Sequence, residues 1–430
     1  MNRCVGVATQ KSKMKKVYVL GSFSTPIRKW SEKSHKDLVR DAYLGVLKDA
    51  DLSNGDLIET IWSGSAMMNS WGQNMIRGQV AFTPLIREGI IPERLPFFNV
   101  EGGCATGSLA FHGAWRDIQA GISHVSIAMG FEKVHIPHDR ALEFSQFNSG
   151  IDQQDPGEWQ SLYSDLAELT GSVFETAPNR SMFMDTYGMQ ARYHMWKYGT
   201  TQRQIAIAAA KNHCNGCLNP DAQYRFRMTP EEVLSDREIS YPLTRSMCAP
   251  VADGAAAAIL ISEEFYHSLP SAMQSRCVEI AAACLTSGKY RGVDEPSLSY
   301  VAAQKAYEMA GIGPGDVDCA EVHDATAFGE IYQAEMMQFC PIGEGGKLVE
   351  SGETTIEGKI PINTSGGLIS KGHPIGATGL SMINELVTQV RGEAGKRQIK
   401  DVEFALQENG GGVVGIEEAA CSVLIFKKQA

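Results

Sequence analysis

Cys104 lies in the run NVEGGCATGSLAF, where a strand passes through a glycine pair into a cysteine at the head of an apolar helix. Helix N-termini offer unpaired N–H groups and the positive end of a dipole, which favour thiolate over thiol, and thiolate is the nucleophilic form. An arbitrary cysteine is far more often a small buried hydrophobe; here the glycines open the backbone to an approaching ligand and turn the reading toward covalent chemistry. A partner base stands in NTSGGLISKGHPIGATG, Asn363–Gly379, where His373 sits between glycine-rich turns ahead of a new helix, placed to take a thiol's proton. Glycine loops before helices also suit phosphate groups. Two further motifs sit at strand ends, where ligands gather in α/β sheets: EVHDATAFGE with His323 and Asp324, and LQENGGGVVG with Asn409 and Gly410–Gly412. The bland alternatives are a satisfied core histidine for the first and a hairpin turn for the second; the functional one is a set of donors for an oxyanion.

The elements that must position these residues follow a β-α-β-α rhythm. Strand-like or helical runs occur at Val17–Leu20, Asp37–Ala50, Thr60–Ser63, Ile76–Arg87, Phe97–Val100, Cys104–Ala120 and His124–Gly130. That rhythm favours parallel strands with helices on both faces. It breaks from Lys133 to Thr244, an irregular stretch with helices around Met184–Tyr198 and Gln202–Asn212, and resumes at Asp253–Glu264. A second series contains Val278–Leu285, Ser299–Ala310, Asp318–His323, Ala327–Phe339, Thr378–Arg391, Phe404–Gln407 and Cys421–Phe426. Each half ends on a small-residue strand, AAAAILISEE and AACSVLIFKK, so the architecture reads as a duplication.

A chain of 430 residues holds two or three domain-sized units, and 43% hydrophobic with 21% charged residues describes an ordinary globular protein. A net charge of −11 without a basic run argues against a nucleic-acid binder. Ten dispersed cysteines read as reduced thiols in a cytoplasmic protein. The basic N-terminus lacks an apolar region after it, and no stretch reaches about 18 uninterrupted apolar residues, so neither a targeting segment nor a membrane span is expected. Met14 is an alternative start, immediately ahead of KVYVLGSF. The cluster HCNGC, with His213, Cys214 and Cys217, lacks the second ligand pair of a structural zinc site and reads as a helix C-terminal turn.

Taken in order, Cys104, YPLTRSMCAPVADGAAAAIL, VHDATAF, GGLISKGHPIGATG and ENGGG resemble the thiolase superfamily, most of all its sterol-carrier or lipid-transfer branch. The likeness runs from Lys15 over nearly the whole chain. It implies an α/β thiolase fold, five-layered αβαβα, with two similar halves: residues 1–14 as an N-terminal extension, 15–134 with 248–268 as the first half, 135–247 as an inserted loop domain and 269–430 as the second half. It further implies that Cys104 attacks the keto carbon of a 3-ketoacyl-CoA to form an acyl-enzyme, that His373 accepts its proton, and that His323 polarises the thioester carbonyl. The backbone at Cys104 and Gly411 would form a second oxyanion hole, each donor worth about 2.7–4 kcal/mol in the transition state, with Asp324 and Asn409 in support. Ser365, Gly366, Gly367 and Arg245 are expected at coenzyme A, Arg77 and Arg192 being further phosphate candidates. Coenzyme A is the cosubstrate, and no metal or redox cofactor is expected.

The sequence departs from the family pattern at the second cysteine. Asn409 stands where classical members carry it, and Ala325 where the lipid-transfer branch often does. The enolate's proton would then come from His323, Glu408, water or another residue, and the departure implies an easily formed enolate, a slower enzyme or a loss of carbon–carbon chemistry. The first is the reading taken, with a substrate such as the aromatic benzoylsuccinyl-CoA, which would give benzoyl-CoA and succinyl-CoA; the large subunit of benzoylsuccinyl-CoA thiolase is similar in character. The resemblance also implies a homodimer core and a small zinc-finger/OB-like partner subunit. Two other readings stay open: a CoA-thioester retro-aldolase of the lipid-transfer type, which needs no acyl-enzyme, and a non-catalytic acyl-CoA or lipid carrier.

Overall fold

Alternate residues of the strand Asp253–Ser262 face two different helix layers. Ala256, Ala258 and Leu260 belong to one hydrophobic core, and Ala255, Ala257, Ile259 and Ile261 to another. The period-two alternation of a strand buried on both faces is what DGAAAAILIS encodes, its alanines letting helices come close. The computed structural model describes residues 14–429; most of the expected N-terminal extension, residues 1–13, lies outside the described residues.

The strands are β1 Val17–Ser24, β2 Thr60–Gly64, β3 Phe97–Val100, β4 Val125–Lys133, β5 Glu238–Ser240, β6 Leu243–Thr244 and β7 Asp253–Ser262. They continue with β8 Val278–Ser287, β9 Cys319–Glu321, β10 Phe404–Gly411 and β11 Ala420–Lys427. Apart from the β5–β6 hairpin they form one sheet in the order β3-β2-β4-β7-β1-β8-β11-β10-β9. The helices that matter for the site are α1 His35–Asp49, α2 Thr106–Gln119, α3 Met182–Tyr198, α4 Gln202–Leu218, α5 Leu298–Ala310, α6 Gly367–Lys371 and α7 Ile375–Arg391.

Read outward from the β1–β8 seam, the two halves repeat one another. β7 and β11 pair antiparallel with β1 and β8, β4 and β10 pair antiparallel with those, and β2 and β9 pair parallel with β4 and β10. The last strand, β3, has its counterpart in a parallel bridge from Ala320 to Ile362. The expectation of parallel strands is therefore corrected. The sheet is mixed, because β1, β7, β8 and β11 are joined by excursions that return the chain antiparallel, a feature that a βα rhythm does not record. Among the described residues, the backbone ladder along the seam consists of the pairs Tyr18–Glu279 and Val19–Val278.

Five layers follow from the cores. Helix α1 packs on the outer face of the N-terminal half-sheet through Leu38, Val39, Ala42, Tyr43 and Val46, and α5 packs on that of the C-terminal half-sheet through Ala302, Ala303 and Ala306. Between the inner faces lie α2 and α7, whose Phe111, Ala114, Ile118, Leu380, Ile383 and Leu386 share one core with Val17, Val19, Val278 and Phe426. Small residues let these central helices meet: a Cβ on Gly379 would come 2.2 Å from Ser108 Oγ and 2.6 Å from its N, and one on Gly107 3.0 Å from the Gly376 carbonyl. The two helices occupy equivalent places in the two halves, and their N-terminal ends come together. No helix among the described residues is long and apolar enough to cross a membrane.

Candidate active site

Residues 103–105 form a single 3-10 turn that delivers Cys104 onto α2. Gly103 holds φ 56°, a left-handed conformation that suits glycine, and a Cβ there would stand 2.7 Å from the Gly412 amide nitrogen. In the other half the chain turns through His373 and Pro374 into α7, which places the imidazole at the equivalent helix end. His373 Nε2 lies 3.1 Å from Cys104 Sγ. The ring of His323, just past β9, stands edge-on to that of His373 at 5.4 Å, and one ligand atom from each of the three side chains lies within 4.8 Å of the others. His323 Nε2 is buried with no hydrogen-bond partner.

The hydrogen bonds fix the tautomer of His373. Thr378 Oγ1 gives its only proton to the Pro374 carbonyl at 3.0 Å, so it accepts from His373 Nδ1–H at 2.7 Å, which leaves the Nε2 lone pair facing the cysteine. Burial pushes the Cys104 thiol up to about 12, with Glu101 adding to the rise and the N–H groups of Cys104 and Gly412 opposing it. Burial, assisted by His323 and Lys371, holds His373 well below the ordinary 6.5, and burial alone lowers His323 to about 4. The resting pair is therefore a neutral thiol and a neutral imidazole. This corrects the thiolate expected from the helix end: desolvation outweighs the dipole here.

The supporting residues divide into those that reach the site and those that brace it. The amide of Gly412, next to the expected Gly411, reaches the sulfur. Gly411 is the place where two chain segments touch, since a Cβ there would lie 2.2 Å from Ala105 N and Gly102 O. Asp324 is fully buried and turned away from the sulfur, accepting from Leu368 N at 2.6 Å and Asn212 Nδ2 at 2.9 Å, so it ties His323 to the start of α6. Asn409 is likewise buried, its Oδ1 accepting from Ser108 Oγ at 2.8 Å in the seam between α2 and α7. Glu132, which sequence reasoning missed, accepts from Ser65 Oγ, Ala66 N, Met67 N and Gly376 N, and so holds the start of α7 against the N-terminal half.

The expected coenzyme-binding turn is corrected too. Ser365 spends its N–H and hydroxyl on Glu321, at 3.0 and 2.6 Å, and is fully buried. Gly366 and Gly367 have positive φ, and a Cβ there would strike Gly216 Cα at 2.6 Å and Asp324 Oδ2 at 2.2 Å. The turn packs protein against protein. Arg77 donates to the carbonyls of Ser65 and Asn74, and Arg192 to those of Tyr241 and Val173; neither lines the cleft over Cys104. His213 Nε2 donates to the Ser246 carbonyl at 3.1 Å within the C-terminal part of α4, and HCNGC forms no convergent ligand set among the described residues.

The cleft has a volume of about 260 Å³, with Cys104 and His373 among its walls. Its apolar walls come from Val134, Phe144, Phe147, Phe183, Met184, Tyr187 and Val251, together with Ala249 and Ala325. Lys29, Arg140, Arg180, Arg237 and Arg245 also line it, against one carboxylate, Glu143, which is engaged with His135 Nδ1 and Ile136 N. Arg245 is 69% exposed and pairs with Asp236. An apolar slot ending on a thiol–imidazole pair, with cations on its walls, suits an acyl group carried on a polyanion.

Comparison with known proteins finds relatives of both halves of the chain. Residues 17–238 match the thiolase N-terminal domain model and residues 297–425 the thiolase C-terminal domain-like model. An acetyl-CoA acetyltransferase of Methanothermobacter thermautotrophicus is 32% identical over 94% of this chain and 98% of its own. Human sterol carrier protein 2 is 34% identical over 95% of this chain and 74% of its own, and the benzoylsuccinyl-CoA thiolase subunit BbsB of Thauera aromatica 30% over 90% and 92%. Among solved structures, the Ltp2-ChsH2(DUF35) aldolase superposes with a TM-score of 0.74 at 21% identity, covering 97% of this chain and 99% of that one. Human mitochondrial 3-ketoacyl-CoA thiolase superposes with a TM-score of 0.66 at 17% identity, covering 97% and 99%. The chain belongs to the thiolase family of acyltransferases.

Proposed function

We propose that the protein cleaves a 3-ketoacyl-CoA with coenzyme A through an acyl-enzyme on Cys104, and that its substrate is aromatic, benzoylsuccinyl-CoA being the type. The observation that carries this is the 3.1 Å approach of His373 Nε2 to Cys104 Sγ, with the ring's other nitrogen held by Thr378. A neutral pair of this kind stores no charge before substrate arrives; the proton moves to His373 as sulfur attacks the keto carbon, and the imidazolium later returns it to the departing Cys104. His323 Nε2, lacking a protein partner, is assigned to the thioester oxygen, and the amides of Cys104 and Gly412 to the oxygen of the attacked carbonyl. Arg245, with Arg237, is assigned to the phosphates of coenzyme A.

Support for an aromatic acyl group comes from Phe144, Phe147, Phe183 and Tyr187 in the cleft and from the likeness to BbsB. The same likeness, with the DUF35 protein in the structural neighbour's title, motivates a small partner subunit. A homodimer would use the free edge of β3, where Phe98 is exposed. Unpaired cysteines throughout the described residues suit a cytoplasmic setting. The test is chromatography of products after mixing the chain, alone and with a co-purified partner, with aromatic and aliphatic 3-ketoacyl-CoAs. Cleavage that consumes one coenzyme A per bond broken supports the thiolase reading. Cleavage without coenzyme A consumption supports the retro-aldolase, and binding without cleavage in both preparations the carrier.

A further inference from the structure

Breaking a carbon–carbon bond beside a thioester leaves the electron pair on the α-carbon as an enolate, which must receive a proton before the shortened acyl-CoA can leave. Among the residues already named, His373 exchanges its proton with sulfur, His323 is assigned to the thioester oxygen, and Glu408 is engaged with His323 N and Cys421 Sγ. Asn409 points into the helix seam, Ala325 has no proton to give, and Glu143 is bound to His135 and Ile136.

One other thiol lines the same cleft. The segment Cys248–Val251 crosses the site from the His323 side to the His373 side: Cys248 forms a bridge with Thr326, the Ala249 N–H donates to the Ala325 carbonyl at 2.9 Å, and Val251 forms a bridge with His373. Cys248 and Ala325 are thus neighbours on adjoining segments, and both line the cleft together with Cys104 and His373. The Cys248 S–H rests on the Thr244 carbonyl at 3.4 Å, which fixes the rotamer and leaves the thiol protonated in a buried setting. The unpartnered Nε2 of His323, three residues before Thr326, is in a group with Cys104 and His373 whose ligand atoms lie within 4.8 Å of one another, and is open to donate to a substrate oxygen.

We propose that Cys248 is the acid and base at the substrate α-carbon, the second catalytic thiol of this chain. In the cleavage direction the Cys248 S–H bond breaks and the α-carbon gains the proton while the thioester carbonyl re-forms. Coenzyme A then enters as a thiol, gives its proton to the Cys248 thiolate and attacks the acyl carbon, and Cys104 leaves as a thiolate that takes back the proton held on His373. Both cysteines end protonated, and no oxidant or reductant is needed.

This proposal rests on the carbon–carbon chemistry above, and solvent deuterium exchange separates the two. The full chain is incubated in D2O with a panel of acyl-CoAs, and loss of the α-proton signal is followed by NMR, alongside alkylation of Cys104 by iodoacetamide, a reaction in which Cys248 takes no part. In Cys248→Ala, exchange is expected to fall at least a hundredfold while alkylation of Cys104 stays within threefold of the wild type. Cys248→Ser, which keeps the shape but is a far weaker acid, is expected to lose exchange to the same extent, which a merely structural role for Cys248 would not produce. Exchange in either variant within threefold of the wild type overturns the proposal. A wild-type chain that acylates Cys104 but exchanges no α-proton in any acyl-CoA overturns the carbon–carbon reading itself.

Discussion

Thr378 Oγ1 sits 2.7 Å from Nδ1 of His373, on the opposite edge of the ring from Cys104, and passes its own proton to the Pro374 carbonyl. Both groups belong to the first turn of α7 or the turn leading into it, so the helix that brings the base also sets its tautomer. Replacing Thr378 by valine removes the acceptor while keeping the shape. We expect the rate of Cys104 acylation, measured by rapid quench, to fall about tenfold, the equivalent of one hydrogen bond of about 1.4 kcal/mol. Thr378→Ser should retain most of the rate.

The pH profile follows from two displaced groups. His373 must be neutral to take a proton, and burial keeps its value well below 6.5, so kcat/KM should fall only as pH drops through that low value. The thiol, raised to about 12, contributes no titration near neutrality. A flat profile from about pH 6.5 to about 9 is expected, with slow alkylation of Cys104 by iodoacetamide across the same range. An activity limb with a midpoint near the ordinary thiol value would contradict the neutral pair.

Glu408 carries a stability signature. Burial, then the neighbouring Glu418, raises its carboxyl to about 8 from an ordinary 4.5. The folded chain therefore holds a proton that the unfolded chain loses, and this contribution is fully present below 4.5 and lost as pH rises through the folded value. Glu408→Gln removes the titration, so the melting temperature of the variant relative to the wild type should rise between about pH 5 and about pH 8.5. Thermal unfolding at several pH values checks the sign.

Gly379 tests the seam between the central helices. A methyl group there meets Ser108 Oγ at 2.2 Å and its backbone nitrogen at 2.6 Å, and the backbone atom cannot swing aside as a side chain could. Gly379→Ala should cost about 1–3 kcal/mol in denaturant unfolding. It should also slow acylation of Cys104, because the helices that it forces apart carry the nucleophile and the base.

Cys104, His323 and His373 were legible because each carries a local signal: a strand, a glycine or turn, a reactive side chain and then a helix. The braces around them were not, since Thr378, Glu132 and Gly412 act through partners that only tertiary packing supplies. The turn at 365–367 misled for a physical reason. Positive φ at Gly366 and Gly367 serves a close approach of backbone, and the chain cannot say whether phosphate or Gly216 of α4 comes near. Strand direction was hidden likewise, because β1 and β7 are adjacent in space while most of the first half and the irregular stretch separate them in the chain. Cys248 is one thiol among ten in the sequence, and only the folded cleft sets it beside Ala325.

The most direct measurement is the intact mass of the chain quenched during turnover of a 3-ketoacyl-CoA that it cleaves, followed by peptide mapping. The account predicts one thioester-linked acyl group per chain, located on Cys104, released by coenzyme A and absent from Cys104→Ser. Cleavage at the wild-type rate by Cys104→Ser, or an acyl group mapped to another residue, would contradict it.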